Sequence, residues 1–221
     1  MTNEIINNFL KLNPQKREFL VSSLRNKGIS ELTLSALNSI PREYFLKKSL
    51  WDEAYDDKAL PIDFNQTISQ PATVGLMTDL LEIEEGSKVL EIGTGSCYQA
   101  LILSYLGAEV FTVERIENLK INIEQTFKDF PYKFNYFFGD GTSGLVEYAP
   151  YDRIIVTAGS PEIPTTLLNQ LKIEGIIVIP VGDKNGQTMK KVIKLSKDQY
   201  DVSQHGEFRF VPLLGLHGWS Y

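Results

Sequence analysis

Apolar residues along the chain follow two patterns that meet near Pro71. Before it they recur at helical spacing. In PQKREFLVSSLRNKG, which opens at Pro14, Phe19, Leu20 and Leu24 share one face and Gly28 marks the stop. Ser30 is placed to cap the following ELTLSALNSI, which ends before Pro41. The stretch PREYFLKKSLWDEAYDDKALPID is irregular and aromatic. Residues 1–70 therefore read as a helical N-terminal appendage with too few apolar faces for a core of its own.

From Pro71 onward, short apolar runs alternate with amphipathic ones. The spacing predicts helices over 71–82, 98–106 and 116–128 and near 164–170, with strands over 88–92, 109–114, 134–138, 153–157 and 175–181. Alternation of this kind builds βαβ units, and runs such as RIIVTA and GIIVIP suit strands buried on both faces. The fold class is α/β: a mostly parallel, doubly wound sheet within one compact unit spanning 71–221. In the tail, Asn185-Gly186 signals a two-residue hairpin. Strands in TMKKVIKLS and near EFRFVPLL would make the C-terminal edge antiparallel.

Composition narrows the function classes. The 221 residues are 43% hydrophobic and 23% charged, as in an ordinary globular protein. The longest apolar run, Ile176 to Ile179 before Pro180, is too short for a bilayer, so no membrane role is expected. A net charge of −6 argues against function by phosphate-backbone attraction, and no nucleic-acid partner is expected. The lysines at 184, 190, 191, 194 and 197 alternate with apolar residues and read as a solvated strand face. Cys97 is the single cysteine, and the opening MTNEIINNFLKLN lacks a secretory pattern, so the expected compartment is the cytoplasm.

Candidate chemistry begins at VLEIGTGSCY, residues 89–98, where a strand runs into a glycine turn and a helix. Such a turn offers backbone N–H groups and a positive helix end to a ligand. The dinucleotide fingerprint would need a third glycine at position 98, which is Tyr98. Glu91, Gly93 and Gly95 instead fit the acid-x-G-x-G pattern of S-adenosylmethionine enzymes. Glu114, at the end of the next strand, suits a ribose in either ligand class. Asp140-Gly141 closes a third strand, where Asp140 could accept from an adenine amino group.

Together these residues resemble the protein-L-isoaspartate (D-aspartate) O-methyltransferase family. The resemblance rests on IPREYF (40–45), NQTISQP (65–71), VLEIGTGSCYQ (89–99), GDG (139–141), YDRIIVTAGSPEIP (151–164), VIPVG (178–182) and RFVPLLG (209–215). It implies a Rossmann-like methyltransferase fold, with S-adenosyl-L-methionine as cofactor and S-adenosyl-L-homocysteine as product. The substrates would be damaged proteins and peptides carrying L-isoaspartyl or D-aspartyl residues. It further implies that Glu91, Gly93, Thr94 and Gly95 shape the methionine pocket, Glu114 holds the ribose, and Asp140 with Gly141 flanks the adenine. Thr157 and Ala158 would line the floor. Gln66, Thr67, Ile68 and Ser69 would form an active-site loop touching cofactor and substrate, with Ser69 as the catalytic residue. Val211, with Ile68 and Ser69, would meet the substrate peptide. No metal is implied.

The chemistry accords with this. A substrate carboxylate with a pKa near ~4 is already ionised at neutral pH and needs no general base. Both histidines, His205 and His217, lie in the last 17 residues and read as surface or packing groups. Ser69 has two readings, as a donor that orients the substrate carboxylate or as the N-cap of the helix at Pro71. Two positions depart from the family, which has glycine where this chain has Cys97 and Asn65. A same-fold enzyme acting on another carboxylate, or a non-catalytic binding protein, are the competing functional readings.

Overall fold

The computed structural model describes residues 4–220. Three helices come first: α1 (Glu4–Leu10), α2 (Pro14–Asn26) and α3 (Glu31–Ser39). Ser30 caps α3 as expected, its hydroxyl oxygen accepting from the Thr33 N–H at 3.3 Å. Helix α2 is rotated from its expected phase. Arg17, Leu20 and Leu24 face inward, whereas Phe19 is 77% exposed. An arginine three residues before Leu20 occupies the buried stripe, which sequence periodicity cannot register because it counts apolar side chains only.

Two short strands, β1 (Leu60–Pro61) and β2 (Thr67–Ile68), pair antiparallel and lead into α4 (Pro71–Leu80). The alternating part follows as β3 (Lys88–Ile92), α5 (Tyr98–Tyr105), β4 (Glu109–Glu114), α6 (Lys120–Asp129), β5 (Asn135–Phe138), β6 (Tyr151–Val156), α7 (Thr165–Gln170) and β7 (Leu171–Gly182). The chain then folds back through β8 (Gln187–Lys194) and β9 (Tyr200–Phe208). The sheet order is β5-β4-β3-β6-β7-β8-β9, parallel through β7 and antiparallel beyond it. This is the expected doubly wound sheet with an antiparallel edge.

Both faces of the sheet are covered. Val89, Val110, Ile155 and Val178 pack with the N-terminal residues Leu24, Leu34 and Ile40 and with Leu101 of α5. Leu90, Phe111, Ile154 and Ile177 pack on the opposite face with Leu167 of α7. Successive strand residues point to opposite faces, so near-continuous apolar runs are what a sheet buried on both sides requires. Among the described residues no helix is long and apolar enough to cross a membrane.

Two expectations for the tail are corrected. The β7–β8 connection is not a two-residue Asn-Gly turn, because Gly182 pairs with Gln187 and four residues intervene. Asp183 organises that loop, its Oδ1 accepting from the N–H groups of Asn185 at 2.6 Å and Gly186 at 3.1 Å. The last strand ends at Phe208, and residues 209–215 are not a strand but a segment laid across the sheet end. Gly159 donates to the Val211 carbonyl at 2.8 Å and accepts from the Leu213 N–H at 2.8 Å, which anchors that segment beside β6. Pro212 between them has no N–H and cannot extend a ladder.

The strand order reverses at β3, whose neighbours are β4 on one side and β6 on the other. In an open α/β sheet, ligands bind outside the carboxyl ends of the strands at such a switch point.

Candidate active site

A cleft of about 180 Å³ opens at that switch point. Its walls include the 65–69 loop, the turn after β3, and the ends of β4 and β6 with the 211–214 segment. Gln66, Thr67, Ile68, Ser69, Glu91, Gly93, Thr94, Gly95, Glu114, Gly141, Thr157, Ala158 and Val211 all line it. Residues separated by up to 145 positions along the chain are thus brought to one cavity (211 − 66 = 145). Asp140 is not among them.

The glycine turn is held from inside the protein. Gly93 has φ +97°, and a Cβ there would fall 2.4 Å from the Thr157 Oγ1. That hydroxyl lies 2.9 Å from the Ile92 carbonyl and 2.7 Å from the Gly93 carbonyl, clipping the turn to the end of β6. Only glycine satisfies both the backbone angle and the close approach. The Gly95 N–H, expected to face a ligand, instead donates to Glu114 Oε2 at 2.9 Å. Glu114 Oε1 accepts from the Ile116 N–H at 2.8 Å. Each carboxylate oxygen has a second lone-pair direction, so Glu114 braces the turn while retaining acceptors for hydroxyl groups.

Glu91 is the unusual group. It has no solvent exposure, lines the cleft, and neither carboxyl oxygen has a hydrogen-bond partner among the described residues. Burial, reinforced by the nearby Glu114, pushes its pKa up to about 8, while the Thr112 hydroxyl, 2.7 Å from that of Thr94, acts in the opposite sense. A cation entering the cavity favours the ionised form of such a carboxyl and gives it the partner it lacks. S-adenosylmethionine carries a sulfonium and an ammonium group. The residues present therefore fit it: an orphaned buried acid for the cationic end and a second, braced acid for ribose hydroxyls.

Asp140 is engaged within the protein. Its Oδ1 accepts from the Thr142 N–H at 2.9 Å and the Thr142 hydroxyl at 2.6 Å, and its Oδ2 accepts from the Leu216 N–H at 2.7 Å. Burial acts to raise its pKa, but these bonds from Leu216 and Thr142 hold the carboxyl below the usual range. Asp140 fastens the C-terminal segment to the sheet end, and its neighbour Gly141 reaches the cavity.

Ser69 is not the cap of α4. The N-cap is Gln70, with no side-chain cap bond, and the Ala72 N–H donates to Asp57 Oδ1 at 2.8 Å instead. That leaves Ser69 lining the cleft. Of the two departures, Asn65 has φ +57°, which asparagine tolerates, while Cys97 has φ +70°, the strained alternative for a residue with a side chain. The thiol is buried, and burial together with Glu91 raises its pKa, so it stays a neutral thiol shielded from oxidants.

Sequence reasoning missed the cleft walls supplied by Val74 and Met77 of α4 and Gln99 of α5. Gln99 Nε2 donates to the Thr78 hydroxyl at 2.9 Å, joining the two helices behind the cavity. Gln99 closes the quoted VLEIGTGSCYQ stretch, but no motif marks Val74 or Met77. Their only signal is the position of α4 immediately beside the QTIS loop.

Comparison with known proteins identifies the family. The family model described as protein-L-isoaspartate(D-aspartate) O-methyltransferase matches residues 15–218. The protein-L-isoaspartate O-methyltransferase of Cytophaga hutchinsonii is 47% identical over 205 residues, covering 92% of this chain and 93% of that one. The enzyme of the same name from Christiangramia forsetii is 50% identical over 201 residues, covering 90% and 94%. A solved protein-L-isoaspartate O-methyltransferase structure matches with a TM-score of 0.83 and 30% identity, over 91% of this chain and 67% of that one. A Plasmodium falciparum structure holding S-adenosyl-L-homocysteine shares the fold, with a TM-score of 0.78 and 21% identity over 90% and 98% of the two chains. With the family match spanning nearly the whole chain, the protein belongs to the protein-L-isoaspartate O-methyltransferase family.

Proposed function

We propose that this enzyme repairs damaged proteins in the cytoplasm, methylating the free carboxylate of L-isoaspartyl, and of D-aspartyl, residues at the switch-point cleft. The observation that carries the reading is the juxtaposition of Glu91, buried and unpaired, with the Ser69 loop on the wall of one cavity. The family's cofactor supplies an activated methyl group on a cationic sulfur. Glu91 with Gly93, Thr94 and Gly95 holds its cationic end, Glu114 the ribose, and Gly141, Thr157 and Ala158 the remaining walls.

Ser69 presents a hydroxyl to one oxygen of the substrate carboxylate, leaving the other free to attack. Ile68 and Val211 hold the flanking peptide. The substrate oxygen is already an anion at neutral pH, so the enzyme's contribution is alignment and removal of water. The cleft lining contains no histidine, and none is required.

Aged and freshly prepared samples of one test protein distinguish this from methylation of ordinary carboxylates. Base-labile label from methyl-labelled cofactor should enter the aged sample in proportion to its isoaspartate content and leave the fresh one nearly unlabelled. Equal labelling of both would favour a less selective carboxyl methyltransferase.

Cys97→Gly tests the strained turn. Relief of the positive φ is worth about 1–2 kcal/mol and is offset by lost burial and the greater chain entropy of glycine. Stability by urea unfolding should therefore stay within about 1 kcal/mol of the parent, and methyl transfer should equal or exceed it. A large loss of activity would show that the thiol has a role of its own.

A further inference from the structure

Arg42 is fully buried, and among the described residues no carboxylate lies within hydrogen-bonding distance of its guanidinium. Its two terminal nitrogens donate to main-chain carbonyls from two separate stretches, while Nε has no hydrogen-bond partner among the described residues. Nη1 donates to Ala54 at 2.7 Å and, weakly, to Asp56 at 3.5 Å. Nη2 donates to Lys58 at 2.9 Å and to Ser69 at 3.0 Å. Next to these acceptors, Asp57 takes the Ala72 N–H at 2.8 Å and pairs with Lys27 at 2.6 Å. The turn between β2 and α4 is thus held at two points, the Ser69 carbonyl and the Ala72 amide.

Stability alone is a poor reason for this arrangement. Burying a guanidinium costs desolvation energy, and apolar packing of similar volume commonly does as well or better. A planar fork that reaches two stretches at once does something apolar packing cannot, which is to fix the direction of a peptide plane. We infer that Arg42 is a positioning residue for methyl transfer: its guanidinium fixes the Ser69 peptide plane and so the direction in which the Ser69 hydroxyl points. This rests on the reading of Ser69 as the group that orients the substrate carboxylate.

The test is a double-mutant cycle of Arg42→Lys and Ser69→Ala. It is read as kcat on a synthetic isoaspartyl peptide, with the Kd for S-adenosylmethionine measured by calorimetry. Lysine keeps the charge but not the fork. Arg42→Lys should lower kcat on the order of 30- to 100-fold, the scale set by a small misplacement of a reacting group. The cofactor Kd should change by less than about threefold, and with Ser69 already alanine the lysine variant should cost almost nothing more.

Tyr55→Phe is the control for general loosening. Its hydroxyl donates to buried Glu43 and accepts from Arg17 of α2 without touching the Ser69 carbonyl, so kcat should hold within about twofold. Losses that add in the double variant, or a Tyr55→Phe loss equal to that of Arg42→Lys, would overturn the inference. If Ser69→Ala lowers kcat and Arg42→Lys does not, the inference alone fails. If Ser69→Ala has no effect, the Ser69 reading fails and takes the inference with it. Should Arg42→Lys not fold, Asp57→Asn, which loosens the other end of the turn, enters the same cycle with the same expected non-additivity.

Discussion

Glu91→Gln should weaken S-adenosylmethionine binding on the order of 10²-fold while removing the loss of the free protein's stability that Glu91 causes as pH rises toward about 8. The first effect follows from deleting the acid that answers a buried cation, a change that typically costs about 2–5 kcal/mol. The second follows from linkage. Glu91 is fully buried with a folded-state pKa of about 8, against about 4.3 in an unfolded chain. Between those values the folded state holds a proton that the unfolded state does not. Its stabilising contribution is therefore complete below the unfolded value and is lost as pH rises toward 8, at up to about 1.4 kcal/mol per pH unit. Urea unfolding at pH 5.5 and 7.5 should show a drop in the parent that exceeds the drop in the variant by about 2–3 kcal/mol. Identical drops would mean that Glu91 is already ionised.

The same acid gives binding a pH signature. A cation stabilises the ionised form, so cofactor binding below pH 8 should release close to one proton and tighten as pH rises toward that value. Calorimetry in two buffers of different ionisation enthalpy measures the release directly. Glu91→Gln should abolish it.

Ser69→Ala should cut methyl transfer about 10- to 100-fold, the scale of one hydrogen bond to a charged group, while cofactor Kd moves less than about threefold. Single-turnover rates with saturating cofactor measure the first, and calorimetry the second. The structure sharpens this expectation because the competing role for Ser69, capping α4, is filled by Asp57. Parallel losses in rate and affinity would make Ser69 a cofactor ligand and not an orienting group.

The sheet was legible because strands covered on both faces must be apolar throughout, and Val89, Leu90, Ile154 and Ile155 are. The glycine turn and Glu114 were legible because close backbone approach and a spaced acid leave marks in residue type. Other features leave weaker marks. Arg17 occupies an inward helix position that apolar counting skips, so Phe19 was placed wrongly. RFVPLLG reads like a strand, but it makes only isolated bridges, to Gly159 and to Trp219, and Pro212 interrupts it. Asp140 also accepts from Leu216, a contact that depends on where a distant segment returns and that residue type does not show. Arg42 binds main-chain carbonyls, which every residue possesses, so nothing in the sequence distinguishes its acceptors.

The most direct test pairs two synthetic peptides that differ only in whether one aspartyl linkage runs through the side chain or the main chain. With labelled S-adenosylmethionine, the isoaspartyl peptide should be methylated and its ordinary twin should not. Methylation of neither, or of both at similar rates, would contradict the assignment.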